Sequence, residues 1–172
     1  GTLNVVSGGL LPEATRLAVA GTVNLFNSSV VLGSLNGVSS GLVTLDGTTL
    51  TLNGGVYAGV LSNGTSALSG SLLKVSGETL SLSGVNTYTG TTEVRGGTLS
   101  LSGSLASAEL MVGTLGTLNV VSGGLLPEAT RLAVAGTVNL FNSSVVLGTL
   151  NGVASGLVTL DGTTLTLNGG VY

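Results

Sequence analysis

The first residues set the pattern of the chain: in Thr2-Leu3-Asn4-Val5, apolar Leu3 and Val5 alternate with polar Thr2 and Asn4. The same period-two alternation returns in Thr49-Leu50-Thr51-Leu52-Asn53, where Leu50 and Leu52 take the apolar places. Period two belongs to the β-strand, whose successive side chains leave opposite faces, so each run predicts a strand with Leu and Val inward and Thr, Ser and Asn outward. On this reading Leu99, Leu101, Leu118, Val120, Val138 and Leu140 face a core. The runs are short and separated by Gly, Asn and Ser, the residues of turns. One stretch departs from the alternation: Leu11–Ala20, for which Pro12 predicts a short helical turn.

The strands recur. Gly-led runs begin at Gly1, Gly21, Gly41, Gly77, Gly97, Gly116, Gly136 and Gly156, and the long interval between Gly41 and Gly77 divides near Gly59. Coils of 18–20 residues result. A longer period encloses them, because residues 1–57 return as 116–172 with only Ser34/Thr149 and Ser39/Ala154 differing. The pattern therefore predicts an all-β chain forming a single continuous β-solenoid over residues 1–172, with six coils in each 115-residue repeat and about nine coils in all. One such coil buries little alone, but stacking the next at a spacing of about 4.8 Å pairs its backbone groups and extends a narrow aliphatic core. Because Gly1 and Tyr172 both sit within ordinary pattern, the chain is expected to be a window on a much longer polypeptide, continuing past Tyr172 with something close to the sequence that follows Tyr57.

Composition supports this and narrows the chemistry. Hydrophobic residues make up 42% and charged residues 6%, the opposite of the balance that keeps a chain disordered, and 30 Gly with no triplet period mark turns, not collagen. The positive mean hydropathy comes from scattered Leu, Val and Ala, with no run long enough to span a membrane. No Cys and no His are present, which removes disulfides, thiolate ligands and the commonest general base. The net charge of −3 offers no basic face to nucleic acid or to anionic lipid. No nucleic-acid partner and no membrane insertion are expected.

Lys74, Leu80, Leu82, Gly84, Asn86, Tyr88, Gly90, Thr92, Val94, Gly97 and Leu99 form a spaced motif within residues 70–103. This stretch resembles the autotransporter-associated β-strand repeat, also called the passenger-associated transport repeat. Where that family usually has Gly two and four residues after the Lys, this chain has Ser76 and Glu78, and a common second Gly after Gly90 is Thr91. The resemblance implies a right-handed parallel β-helix, an extracellular or bacterial cell-surface location, and export through an outer-membrane barrel C-terminal to the passenger.

The remaining candidates for chemistry are sparse. Glu13, Asp46, Glu78, Glu93, Glu109, Glu128 and Asp161 are scattered singly, whereas polysaccharide-cleaving β-helices gather acids with Arg, Lys or Ca²⁺. No catalytic residue, metal or other cofactor is expected. Tyr57, Tyr88 and Tyr172 are read as packing over strand ends in preference to stacking on a sugar. The sequons at Asn27, Asn63 and Asn142 are read as turn residues. The one regular outward feature is a ladder in two parallel files: Thr2, Thr22, Thr98, Thr117 and Thr137 in one, Asn4, Asn24, Ser100, Asn119 and Asn139 in the other. The expected function is a structural extracellular fibre, stalk or adhesin shaft that associates with identical solenoids. The alternative is an adhesive passenger that binds a surface glycan through this Thr/Asn face.

Overall fold

The computed structural model describes all of residues 1–172 apart from 27–28 and 142–143. The sequons at Asn27 and Asn142 therefore lie outside the described residues. All the regular structure described is strand, and every strand pair is parallel. The chain winds as a β-solenoid with three faces, completing eight turns and two faces of a ninth, close to the number the spacing predicts.

Face one carries Thr2–Val5, Thr22–Leu25, Leu42–Thr44 and Val60–Ser62, paired in that order, then Val85–Asn86 paired with Ser104–Leu105. Face two begins with the first halves of Val30–Gly37 and Thr49–Tyr57 and continues through Ser71–Lys74, the first halves of Thr92–Leu101 and Glu109–Val120, Arg131–Val134 and Thr149–Gly152. Face three opens with Arg16–Val19 and takes the second halves of the same long strands, with Thr79–Leu82, Thr137–Phe141 and Leu157–Asp161. Long strands turn the corner between faces two and three by a register shift, as between Val94 and Gly96.

The inward positions read from the alternation are the core. Leu50, Leu52, Leu99, Leu101, Leu118, Val120, Val138 and Leu140 are all buried in one aliphatic column. Leu11–Ala20 differs from expectation: its first part is a turn closed by the Thr15 amide donating to the Pro12 carbonyl, and Arg16–Val19 is strand. Pro12 fixes a single turn here, and the partner strand Ser34–Gly37 then draws the following residues into the sheet.

Turn lengths stay near the expected 18–20 residues, with 22 between Glu109 and Arg131, except in the long turn after Gly55. Thr2 pairs with Thr22, Thr22 with Leu42 and Leu42 with Val60, but Gly55 pairs with Leu80, 25 residues on. The division near Gly59 stands, since the Val60 amide donates to the Gly41 carbonyl. The run after Gly77, however, stacks on residues 55–57 of face three, not on Val60–Ser62. Residues 63–70, a loop outside the strands, and 75–78, between two strands, account for the extra length.

This one long turn changes the phase of the repeat. Thr2–Val5 lies on face one, yet its copy Thr117–Val120 lies on face three. Arg16–Val19 lies on face three and its copy Arg131–Val134 on face two. Val30–Leu32 lies on face two, whereas Val145–Leu147 pairs with Leu165–Leu167 on face one. The 115-residue repeat thus spans seventeen strand positions, five and two-thirds turns, where the spacing alone gives six coils.

Candidate functional surfaces

The motif residues are the most distinctive polar groups in the chain, and the solenoid encloses them. Lys74 ends the strand Ser71–Lys74 facing inward and is fully buried. Its Nζ donates to the carbonyl oxygens of Val75 (2.7 Å), Ser76 (3.1 Å) and Gly96 (3.0 Å). All three ammonium protons are thereby used, which is what a buried lysine requires. Burial pulls its pKa below the ordinary lysine value, partly opposed by the negative charge of Glu78. The side chain ties one turn's corner to the next, because Gly96 belongs to the following turn.

Ser76, standing where the resembled family usually has Gly, has a φ of 68°, the left-handed region in which Gly is at ease. Its Oγ donates to the Asn53 carbonyl at 3.2 Å, a bond that Gly cannot make. Gly97 has a φ of 65°, and a Cβ there would collide with the Ser76 carbonyl. Gly84 leaves no room either, since a Cβ would meet the Gly59 carbonyl of the turn below.

Asn86 is buried and replaces missing backbone partners after the long turn. Its Oδ1 accepts from the Leu61 amide at 3.1 Å, while Nδ2 donates to the carbonyls of Gly84 and Ser104, both at 3.1 Å. Tyr88 is fully buried, with its hydroxyl 2.7 Å from that of Thr92, also buried, and burial pushes its phenol well above the ordinary value. Leu80 and Val94 belong to the core, and Gly90 packs on the Gly70 carbonyl. Tyr57 lies under the same kind of corner, fully buried against Gly37 and Gly59. Neither Tyr57 nor Tyr88 can stack on a sugar; Tyr172 is exposed in the last turn.

Two further side chains hold the long loop, a role with no clear signal in the sequence. Asp46 has a φ of 41° and is buried. Burial raises its pKa, but hydrogen bonds from Ser66, Thr44 and Thr65 outweigh this and leave it below the usual carboxylate value. The Ser66 amide donates to Asp46 Oδ1 at 3.0 Å. Asn63 Oδ1 accepts from the amides of Gly70 (3.0 Å) and Thr89 (3.1 Å), so this sequon asparagine is a turn clamp.

The outward ladder falls on two faces. Thr2 and Thr22, with Asn4 and Asn24, are in register on face one, where Leu42 follows Thr22. Thr98, Thr117 and Thr137, with Ser100, Asn119 and Asn139, are in register on face three. The phase of the repeat, invisible in a strand-by-strand comparison, separates them. Within each file the amides bond one another: Asn24 Nδ2 donates to Asn4 Oδ1 at 2.8 Å and Asn139 Nδ2 to Asn119 Oδ1 at 2.9 Å.

The scattered acids remain apart: among the described residues, no three of His, Cys, Asp or Glu gather as metal ligands would. Several open grooves mark the exterior. One, of about 320 Å³ on face two, is lined by Met111, Ala133, Ala135 and Val153. Another, of about 460 Å³, brings Arg16, Ser34, Asn36, Asn53 and Glu78 together on face three. Among the described residues no helix is long and apolar enough to cross a membrane, which does not bear on strands.

Residues 72–101 match the model of the passenger-associated-transport-repeat family. The match covers the segment in which Lys74, Gly84, Asn86, Tyr88 and Gly97 were identified. No curated protein and no solved structure matches the chain. The repeat and the parallel solenoid fit an autotransporter passenger region.

Proposed function

We propose that this chain is a non-catalytic shaft segment of a passenger displayed outside a bacterial cell. Its mechanism is the stack itself: every turn serves as the template for the next, and the aliphatic column resists bending because no turn can slide without unpairing its backbone. The observation that carries this reading is that Lys74, Asn86, Tyr88 and Thr92 are buried and hydrogen-bonded within the solenoid. Residues spent on corners and inter-turn ties are those of a scaffold. The family match supports an exported passenger, and the sparse, separated acids support the absence of catalysis.

An adhesive role is the second reading, favoured by the half-exposed Thr and Asn files on faces one and three. Glycan-array binding by the whole chain, paired with the variant Thr2→Val, Thr22→Val and Thr98→Val, separates the two. A scaffold gives no saturable binding with either protein. Specific binding to one glycan class, lost in the variant, overturns the scaffold reading in favour of adhesion. Release of reducing sugar from a polysaccharide overturns it in favour of an enzyme.

A further inference from the structure

We infer that a run of these 115-residue units displays its outward Thr file as separate four-rung patches, each turned a third of a revolution from the last. Face three carries one complete patch. Thr79, Thr98, Thr117 and Thr137 stand in register across four successive turns, beside Ser81, Ser100, Asn119 and Asn139. Leu157 ends the Thr file on one side and Gly54 precedes Thr79 on the other, while the neighbouring Ser/Asn file runs one rung further to Thr159. Thr2 and Thr22 are the sequence counterparts of Thr117 and Thr137, the last two rungs of such a Thr file, yet they stand on face one, where Leu42 ends the file and Thr44 and Ser62 carry on the one beside it. The same patch therefore faces different sides in the two copies.

The cause is the seventeen-strand unit. Three faces do not divide seventeen, so each unit hands its surface on to another face, and three units complete seventeen whole turns before the display repeats. The shaft has no single binding face. The Thr file of each patch is four rungs tall, roughly 15–19 Å at the strand spacing. That extent fits a discrete polar chain such as one oligosaccharide laid across the turns. It does not fit an extended lattice, which needs a file that continues along one side. The phase holds whether the shaft is structural or adhesive; the fit to an oligosaccharide rests on the adhesive reading.

Disulfide mapping tests the phase without any ligand, and the chain has no cysteine of its own to interfere. Val56 and Ser81 are outward neighbours in register on face three, at a spacing that a disulfide can bridge. If the repeat instead made six whole turns, Ser81 would lie beside Ser62. Under mild oxidation the Val56→Cys/Ser81→Cys protein should crosslink at least about tenfold faster than Ser62→Cys/Ser81→Cys. Thr51→Cys/Leu73→Cys, in register on face two, is expected with either count of turns and controls for folding of the region. Preferential Ser62–Ser81 crosslinking, or Thr51–Leu73 crosslinking with no Val56–Ser81 crosslink, overturns the inference. These outcomes are independent of any glycan result, so a scaffold that binds nothing leaves the phase intact.

Discussion

Leu3 and Leu118 occupy the same place in identical sequence, but Leu3, in the first turn, is 41% exposed, whereas Leu118, between two turns, is 0% exposed. Covering the exposed part of Leu3 with one more turn would supply about 1–2 kcal/mol at the usual value per area of apolar surface. Repeated at each inward position, that increment is the cohesion of the column. Leu118→Asp places a carboxylate where no partner exists, and the expected loss is more than about 4 kcal/mol in denaturant unfolding. Asn119→Asp, one residue away but outward, keeps an acceptor for the Asn139 amide and should cost at most about 1 kcal/mol. The reverse order would mean that the facing of the strand is opposite to that described. This level was open to reading because alternation states directly which side chains share a face.

At the level of strands and turns, the long 25-residue turn is the consequential element, and Asn86 is its keystone. Asn86→Ala leaves the Leu61 amide and the Gly84 and Ser104 carbonyls without the partners they have now, at an expected cost of about 3 kcal/mol. Hydrogen exchange should show the loss concentrated in Val60–Ser62 and Val85–Asn86; uniform loosening along the solenoid would contradict a local clamp. The existence of strands, the division near Gly59 and the parallel stacking were legible in the sequence. The face on which the run after Gly77 lands was not, because an alternating strand looks alike on any of three faces. Residues 63–70, rich in Ser and Gly, look like an ordinary turn; the bonds they donate to Asp46 and Asn63, with that between Ser69 and Thr89, fix their path. Likewise, Lys74 and Asn86 are recognisable as motif members, but their inward orientation depends on carbonyls from neighbouring turns.

Across the whole molecule, charge has little to do with cohesion. The ion pairs among the described residues are Arg95–Glu93 at 2.7 Å and Arg131–Glu109 at 3.7 Å, and both arginines are largely exposed. Exposed pairs contribute at most about 1 kcal/mol each and are screened by salt. The melting temperature is expected to move little between low and moderate ionic strength, as followed by circular dichroism; a steep fall on adding salt would reveal electrostatic cohesion absent from this structure. The near identity of residues 1–57 and 116–172 acts on a different axis. Unequal recombination between such stretches adds or removes one unit and regenerates the same sequence at the join, so every strand still meets its usual neighbour. Nothing is strained, yet the distal part advances or retreats by about 27 Å and swings through a third of a circle. Reach and heading are geared together, and a lineage that lengthens such a shaft also re-aims its tip.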